Sequence, residues 1–324
     1  MGDSAHANVI VRPLAESDLA DADRVIRLAF GTFHGMSDPL KFLGDRDYAR
    51  TRWRADPAAA VAAEDNGLLI GSNFATNWGS FGFFGPLTVD PAYWNRGVAQ
   101  QLLAPTMGMF RHWGNRHLGL YTYAQSTKHV ALYQKFGFWP RDLVAITAKE
   151  LAPASARPEA VADTGRFSEA MSGDKPSLLA ACREVSEANF EGLDVQREIR
   201  AVSEQALGDT VLAWDRAKLA AFAVCHTGPG TEAGSGVCYV KFAAARPGPR
   251  AEANFRRLLG AVEAFARSRQ AGKITAGVNL ARREVVREMT AGGFRAEVQG
   301  VAMESGGPSS GYNRAGVYIV DDWR

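Results

Sequence analysis

Apolar positions in the first half of the chain follow two spacings, one of about 3.6 residues and one of two, which are typical of helices and strands. After a short strand at 9–11, a helical spacing begins behind Ser17, a possible N-cap. Asn66-Gly67 predicts a hairpin turn between two strands. The further elements predicted for this half are a helix at 39–53, strands at 58–64, 67–77 and 80–90, a helix at 97–114, a strand at 117–124, a helix at 127–136 and a strand at 143–151.

The second half repeats this order of elements. Residues 152–175 are rich in Ala, Pro, Ser and Gly and have no sustained apolar period, which is typical of a linker. We therefore predict a first domain at 1–151, a linker at 152–175 and a second domain at 176–324. The elements predicted beyond the linker are helices at 177–189 and 196–206, strands at 210–215, 218–227 and 236–245, a helix at 251–269, a strand at 273–279, a helix at 281–291 and strands after residue 293.

A constant offset relates the two halves. Adding 156 to a position in the first half carries several landmarks onto equivalent residues in the second without a gap, which predicts an internal duplication. The matched positions are Leu102 and Leu258, Leu103 and Leu259, Leu118 and Ile274, Gly137 and Gly293, and Phe138 and Phe294.

Composition narrows the kinds of partner. The chain has 324 residues, 46% of them hydrophobic and 22% charged, which is typical of a globular protein long enough for two cores. Its 37 basic and 35 acidic residues nearly balance, so neither a nucleic acid nor a membrane is the expected partner. Small-molecule chemistry is favoured.

Cysteine use and the N-terminal sequence predict a cytoplasmic protein. The three cysteines form no CxxC pair, and an odd number argues against a disulfide framework. The first residues contain no apolar leader segment, and no apolar run approaches the length that spans a bilayer. His112 and His117 have no Cys or carboxylate arranged beside them, so no metal site is expected.

The stretch from 80 to 103 holds the most informative motif. Gly82, Gly85 and Pro86 interrupt the predicted strand at 80–90, and such residues mark places where something approaches the backbone. The sequence WNRGVA, residues 94–99, then leads into an apolar helix. Free N–H groups at a helix start and a glycine without a Cβ are suited to hold an anion such as a pyrophosphate.

The segments LTVDPAYWNRGVAQQLL and ALYQKFGF together resemble the GNAT superfamily of acyl-CoA-dependent N-acyltransferases, over most of residues 8–150. The resemblance implies an α/β (α+β) fold of two tandem GNAT-like domains, each with a mixed central sheet flanked by helices. In the family's loop pattern, Gln/Arg-x-x-Gly-x-Gly/Ala, Gly97 and Ala99 fit and Trp94 stands at the first position.

The resemblance also implies roles for individual residues. The backbone of residues 87–89 would pair with the pantetheine arm of CoA, and the N–H of Val89 would face the oxyanion. Ser126 stands where the family often has an Asn that contacts the cofactor, and Tyr133 stands where it often has a Tyr that protonates the departing thiolate. The cofactor-binding residues implied in this way are Leu87, Thr88, Val89, Trp94, Asn95, Arg96, Gly97, Val98, Ala99 and Ser126, with acetyl-CoA as the expected acyl donor.

The base and the acceptor stay open. Glu64, His34 and Asp38 are candidates for the base, and each has an alternative interpretation as an ordinary surface residue. The acceptor is expected to be a small-molecule amine or a peptide. A group of apolar residues borders either the acceptor or the core, namely Phe33, Met36, Trp78, Phe81 and Phe83.

The second copy lacks the chemistry of the first. The offset carries Gly97 to Ala253 and Tyr133 to Met289, and it carries Arg96 to Glu252, whose charge would repel a pyrophosphate. We therefore expect a non-catalytic second domain that supports the first or shapes its acceptor pocket. Two functions remain open for the whole chain: an N-acetyltransferase, or a non-catalytic module that senses acyl-CoA or serves as a scaffold.

Overall fold

Helices and strands follow nearly the same order in the two halves of the chain. The computed structural model describes residues 9–152, 161–305 and 311–324. Its first-half elements are β1 (Val9–Pro13), α1 (Leu19–Phe33), α2 (Tyr48–Ala55), β2 (Ala60–Asp65), β3 (Leu68–Trp78), β4 (Phe81–Phe84), β5 (Thr88–Val89), α3 (Val98–Trp113), β6 (His117–Thr122), α4 (Thr127–Gln134) and β7 (Phe138–Glu150). Those of the second half are β8 (Thr164–Arg166), α5 (Lys175–Asn189), α6 (Gln196–Glu204), β9 (Gly208–Asp215), β10 (Lys218–Gly228), β11 (Gly234–Ala245), α7 (Ala251–Ser268), β12 (Lys273–Asn279), α8 (Arg283–Ala291), β13 (Arg295–Ser305) and β14 (Ile319–Val320).

One mixed sheet runs through both halves in the order β1-β2-β3-β4-β6-β13-β7-β12-β11-β10-β9-β8. The β4–β6 and β11–β12 pairs are parallel, and the other neighbours along this path are antiparallel. The register repeats the sequence offset, because Phe81 is opposite His117 in the first half and Val237 is opposite Lys273 in the second. This agreement supports the duplication.

The two halves exchange their last long strands. β13 of the second half pairs with β6 of the first, and β7 of the first half pairs with β12 of the second. β7 and β13 also pair with each other at the centre of the sheet. The halves therefore share a continuous ladder of backbone hydrogen bonds and cannot separate without breaking it.

A buried ionic cluster joins α2 to the second half. Arg52 donates to both carboxylate oxygens of Glu232, at 3.1 and 3.0 Å, and Lys241 donates to the same carboxylate at 2.7 Å. Lys241 also lies 3.3 Å from Glu198, whose carboxylate accepts from Trp78. The two cations hold the pKa of Glu232 well below its usual range in spite of its burial, so the cluster stays charged and fixes α2 in place.

Most predicted elements are confirmed, including α3 and β12, but three segments differ. The helix predicted at 39–53 begins only at Tyr48, where the Asp47 side chain accepts the N–H of Arg50. The strand predicted at 80–90 is two strands, since Pro86 has no N–H to continue the ladder. Within the predicted linker, β8 pairs with β9 and Phe167 is buried, so the packed second half already includes residues 164–175; residues 153–160 lie outside the described part.

Candidate active site

The sheet opens between β4 and β6 and forms a cleft beside the start of α3. The pairing of β4 with β6 runs from Phe81 to Phe83 and ends there, and β5 pairs with β3 alone among the described strands. The cleft has a volume of about 630 Å³. Its walls include all but one of the residues predicted to bind or act on the cofactor, namely Leu87, Thr88, Val89, Trp94, Asn95, Gly97, Val98, Ala99, Ser126 and Tyr133.

Arg96 is the exception. Its exposed guanidinium stacks over the Tyr93 ring, 5.1 Å from the centroid, and it does not line the cleft. Lys128 on α4 and Lys135 at its end do line the cleft and add positive charge there. These lysines carry no family motif, so the sequence pattern did not single them out.

The loop before α3 presents free backbone donors. Gly97 is the N-cap with a φ of 80°, a conformation that favours glycine, and a Cβ built there would meet nothing within 4 Å. Within the described part of the chain, the N–H groups of Gly97, Val98 and Ala99 have no hydrogen-bond acceptor. The positive end of the α3 dipole adds to them, so this loop is suited to bind a phosphate group.

Trp94 explains how the loop keeps its shape without the family's usual first residue. Its indole N–H donates to the carbonyl of Val89 at 2.7 Å, which ties the loop to β5. The Lys128 ammonium lies 5.4 Å from the centre of the Trp94 ring and so stands beside the loop. The departure from the motif therefore preserves the backbone arrangement.

Tyr133 lies on α4 and is 8% exposed. Its ring packs against Phe84, with 5.7 Å between the centroids. Burial raises the pKa of the Tyr133 phenol above its usual value, so the hydroxyl keeps its proton at neutral pH. Tyr133 lines the cleft with its hydroxyl in the protonated form.

Five ring side chains form one wall of the cleft. Phe33 lies between Tyr123 and His129, at centroid distances of 5.5 and 5.4 Å. Phe30 stacks on Phe42 at 5.4 Å with an interplanar angle of 13°. These five side chains come from α1, the loop after it, the end of β6 and α4, and all line the cleft. We call Phe30, Phe33, Phe42, Tyr123 and His129 the aromatic wall.

The apolar residues that were expected to border either the acceptor or the core fall into separate places in the structure. Phe33 belongs to the aromatic wall, whereas Trp78, Phe81 and Phe83 are at most 2% exposed in a core shared with the second half. Met36 is 37% exposed and lies outside the cleft lining. The side chains of Phe81 and Phe83 on β4 thus pack away from the cleft, whereas that of Phe84 lines it.

Of the three candidates for the base, only His34 contacts a residue of the cleft. Glu64 is bound to Arg12 at 2.7 Å at the β1–β2 edge, and the exposed Asp38 lies 3.3 Å from Lys41. Neither lines the cleft. His34 places its Nε2 atom 3.2 Å from the hydroxyl of Tyr123, a wall residue, and therefore reaches the cleft through that hydroxyl.

Residues 321–324 follow β14 and cross from the second half to the first. Trp323 packs on Phe81 at 4.9 Å, and both Trp323 and Arg324 line the cleft. Gly119 makes room for this segment, because a Cβ there would lie 2.7 Å from the Trp323 ring. The sequence held little sign of this crossing beyond the glycine in β6.

The second half has its equivalent opening filled. Beyond its pairing with β12, β11 pairs with β14 through Ala243 and Ala244, which the 156-residue offset equates with Leu87 and Thr88. Phe255, the counterpart of Ala99, is fully buried, and Glu252 is bound to Arg256 and Arg287 at 2.9 and 3.0 Å. The chain's own strand and side chains therefore take the space that is open in the first half.

Neither a metal cluster nor a membrane helix is found in the residues that the structure describes. No group of three or more His, Cys, Asp and Glu side chains there could hold a metal ion. No helix in those ranges is both long and apolar enough to cross a bilayer.

The first half of the chain also resembles a known family in sequence. Residues 29–138 match the sequence profile of the acetyltransferase (GNAT) family. No curated protein matches the chain in sequence.

Solved structures share the fold of the whole chain. A putative acetyltransferase from Pyrococcus horikoshii has a TM-score of 0.68 at 13% identity, covering 96% of this chain and 92% of that one. A GCN5-related N-acetyltransferase from Sphaerobacter thermophilus has a TM-score of 0.58 at 15% identity, covering 94% and 98%. The two-half architecture is thus similar to these structures along nearly its full length.

Proposed function

We propose that the chain is an N-acyltransferase that moves an acetyl group from acetyl-CoA to a primary amine, using the cleft of the first half. The observation that carries the proposal is one continuous cleft that joins free N–H groups at the start of α3, the Tyr133 phenol and the aromatic wall. A protein that only bound CoA would need the free N–H groups and neither the phenol nor the aromatic wall.

The residues of the cleft fit CoA. The N–H groups of residues 97–99 and the nearby lysines Lys128 and Lys135 offer donors and positive charge to a pyrophosphate. β5 has a strand partner on one side only among the described residues, so its other side is suited to pair with an extended amide chain. CoA bound in this way supplies an activated thioester, and Val89 N–H is our candidate to donate to the developing oxyanion.

Tyr133 is the proposed general acid. Its phenol is protonated at neutral pH and faces the cleft, where it can donate a proton to the leaving sulfur. Burial raises the pKa of the phenol, and it also raises the pKa of a thiol in the same cleft. Burial therefore does not by itself oppose proton transfer from the phenol to the sulfur.

Tyr123 and His34 form the proposed base. Among the described residues that line the cleft there is no Asp or Glu, so no carboxylate side chain there can take the amine proton. Partial burial lowers the pKa of His34 below its usual value, and the ring is therefore neutral at pH 7. The amine proton can pass to the Tyr123 hydroxyl as that hydroxyl gives its own proton to His34 Nε2, 3.2 Å away.

The second half is proposed to be structural. Its filled opening leaves no room for a pantetheine arm, whereas its strand β13 and its last residues complete the sheet and the cleft of the first half. We infer one active site per chain, with the second half supporting the acceptor side.

Thiol release from acetyl-CoA, measured with a pooled set of amines, tests the function. An enzyme gives amine-dependent thiol release and an amine product heavier by one acetyl group. A sensor or scaffold binds CoA and releases no thiol with any amine. The variant Tyr133→Phe serves as the comparison, because it keeps the packing and removes the acid.

A further inference from the structure

The acceptor end of the cleft combines aromatic surface with positive charge. The aromatic wall supplies flat rings on which an aromatic body can stack or pack edge to face. Apart from this wall, Tyr48, Tyr121 and Trp323 also line the cleft. Such a surface favours an aromatic acceptor over a sugar or a short polar amine.

The charges at the cleft argue against a polycationic amine. The charged side chains that line it in the described ranges are Arg46, Lys128, Lys135 and Arg324, and none is acidic. Burial lowers the pKa values of His34 and His129, so these rings add no positive charge at pH 7 and offer no negative one. The charged side chains of the lining would therefore repel a polyamine.

Arg46 has a guanidinium with donors to spare. Its Nε atom donates to the carbonyl of Leu43 at 3.0 Å, and its Nη2 atom lies 3.5 Å from the carbonyl of Phe42. No described carboxylate forms a salt bridge with it. The two carbonyls hold the side chain beside the aromatic wall, and its Nη1 atom has no hydrogen-bond partner among the described residues.

The charge of Arg46 reaches the aromatic wall. It is one of two arginines whose positive charge opposes the rise in the Tyr123 pKa that burial causes. Arg46 and Tyr123 both line the cleft, so an anion bound to Arg46 would share the cleft with the hydroxyl that we propose to accept the amine proton. A guanidinium in this position is well matched to a carboxylate, because it offers several N–H donors in one plane.

From these observations we propose that the acceptor is an aromatic primary amine that carries a carboxylate, with its ring on the aromatic wall and its carboxylate bound by Arg46. This inference rests on the proposed acetyltransferase function. It names the chemical class of the acceptor, to which aromatic amino acids belong, and it excludes polyamines.

Three compounds test the binding half of the inference on the CoA-saturated protein by calorimetry. Phenylpropanoate has the ring and the carboxylate, phenethylamine has the ring and the amine, and spermidine has only positive charge. We expect phenylpropanoate to bind at least about tenfold more tightly than phenethylamine, and spermidine to show no binding at the cleft. The reverse order would overturn the inference.

Arg46→Gln identifies the residue responsible. In this variant the preference for phenylpropanoate is expected to fall to near one, while CoA affinity is unchanged. Arg200→Gln is the matched control, since Arg200 is an exposed arginine on α6 that does not line the cleft, and it should keep the preference. A preference that persists in Arg46→Gln would assign the carboxylate to another group and overturn the proposal.

Turnover separates this inference from the function on which it rests. With phenylalanine and phenethylamine as paired acceptors, kcat/KM from thiol release should favour phenylalanine in the wild type and not in Arg46→Gln. Release with spermidine or phenethylamine in preference to phenylalanine would overturn the acceptor class and leave the acetyltransferase in place. No release with any amine, together with tight CoA binding, would overturn both.

Discussion

The Nε2 atom of His34 lies 3.2 Å from the hydroxyl oxygen of Tyr123. His34 ends α1, and its ring is stacked on Phe42 at 5.2 Å with an interplanar angle of 9°. Tyr123 follows β6 and lines the cleft. The contact thus connects a neutral imidazole outside the cleft lining to a hydroxyl inside it.

His34→Phe removes the ring nitrogens and keeps an aromatic ring for the stack. We expect kcat to fall by about 10²-fold, the usual scale for loss of a general base, with little change in CoA affinity. His112→Phe, at an exposed position on α3, is the control and should retain full activity. Normal turnover in His34→Phe would exclude His34 from proton transfer.

The pH dependence of kcat gives a second test of the same pair. Protonated His34 cannot accept a proton, so activity should be present above its pKa and fall as the pH drops through it. Because partial burial lowers that pKa, the acid limb should lie below the usual histidine value of about 6.5. The residual activity of His34→Phe should lack this limb; an unchanged limb would belong to another group.

Tyr133→Phe tests the general acid. Turnover should drop by about 10²-fold while CoA affinity changes little, because the phenol proton is needed at the leaving sulfur more than for holding CoA. If Tyr133 had only a structural role, the variant would instead lose about 1 kcal/mol of stability and keep its activity. Steady-state kinetics and a melting curve on the same sample decide between these outcomes.

Gly119→Ala tests the contribution of the terminal segment to the cleft. The added Cβ would lie 2.7 Å from the Trp323 ring, and such overpacking typically costs about 1–3 kcal/mol. The displaced residues 321–324 should raise the KM for the acceptor and leave CoA binding intact. Gly108→Ala is the control, since its nearest atom is 3.8 Å away in a flexible arginine side chain. Equal acceptor KM values in both variants would show that the segment does not shape the site.

The helices and strands, and the loop before α3 with its free N–H groups, could be predicted from the sequence because they depend on nearby residues. The apolar stripe of α3 and the glycine before it are local signals, and the 156-residue offset matches the strand register seen in both halves. The start of α2 was missed because the residues after Pro39 have apolar spacing without a cap until Asp47.

The long-range arrangement could not be predicted in this way. Strand exchange places β13 beside β6, and the period of a strand does not specify its partner. Trp78 and Phe83 looked equally suited to a pocket or a core, and only the packing of the second half on β4 shows that they are core. The pairing of His34 with Tyr123 joins residues 89 positions apart, and no motif links them.

Gly97→Glu tests the phosphate-binding role of the loop before α3 by placing a negative charge at its free N–H groups. CoA affinity should fall at least about tenfold, or about 1.4 kcal/mol, with the fold retained. Gly114→Glu is a closely matched control, because Gly114 also has a positive φ, 71°, and also has open space around its Cβ position, but it ends α3. It should show a similar loss of stability and normal CoA affinity. Equal CoA affinity in both variants would mean that the loop does not hold the pyrophosphate.

Calorimetric titration of the whole chain with CoA tests most directly whether the first half alone holds the acyl donor. The open cleft beside Gly97 and the filled opening at Ala243 predict one CoA per chain in the wild type and a strongly weakened single site in Gly97→Glu. Two equal sites per chain, or one site that Gly97→Glu leaves unchanged, would contradict the account.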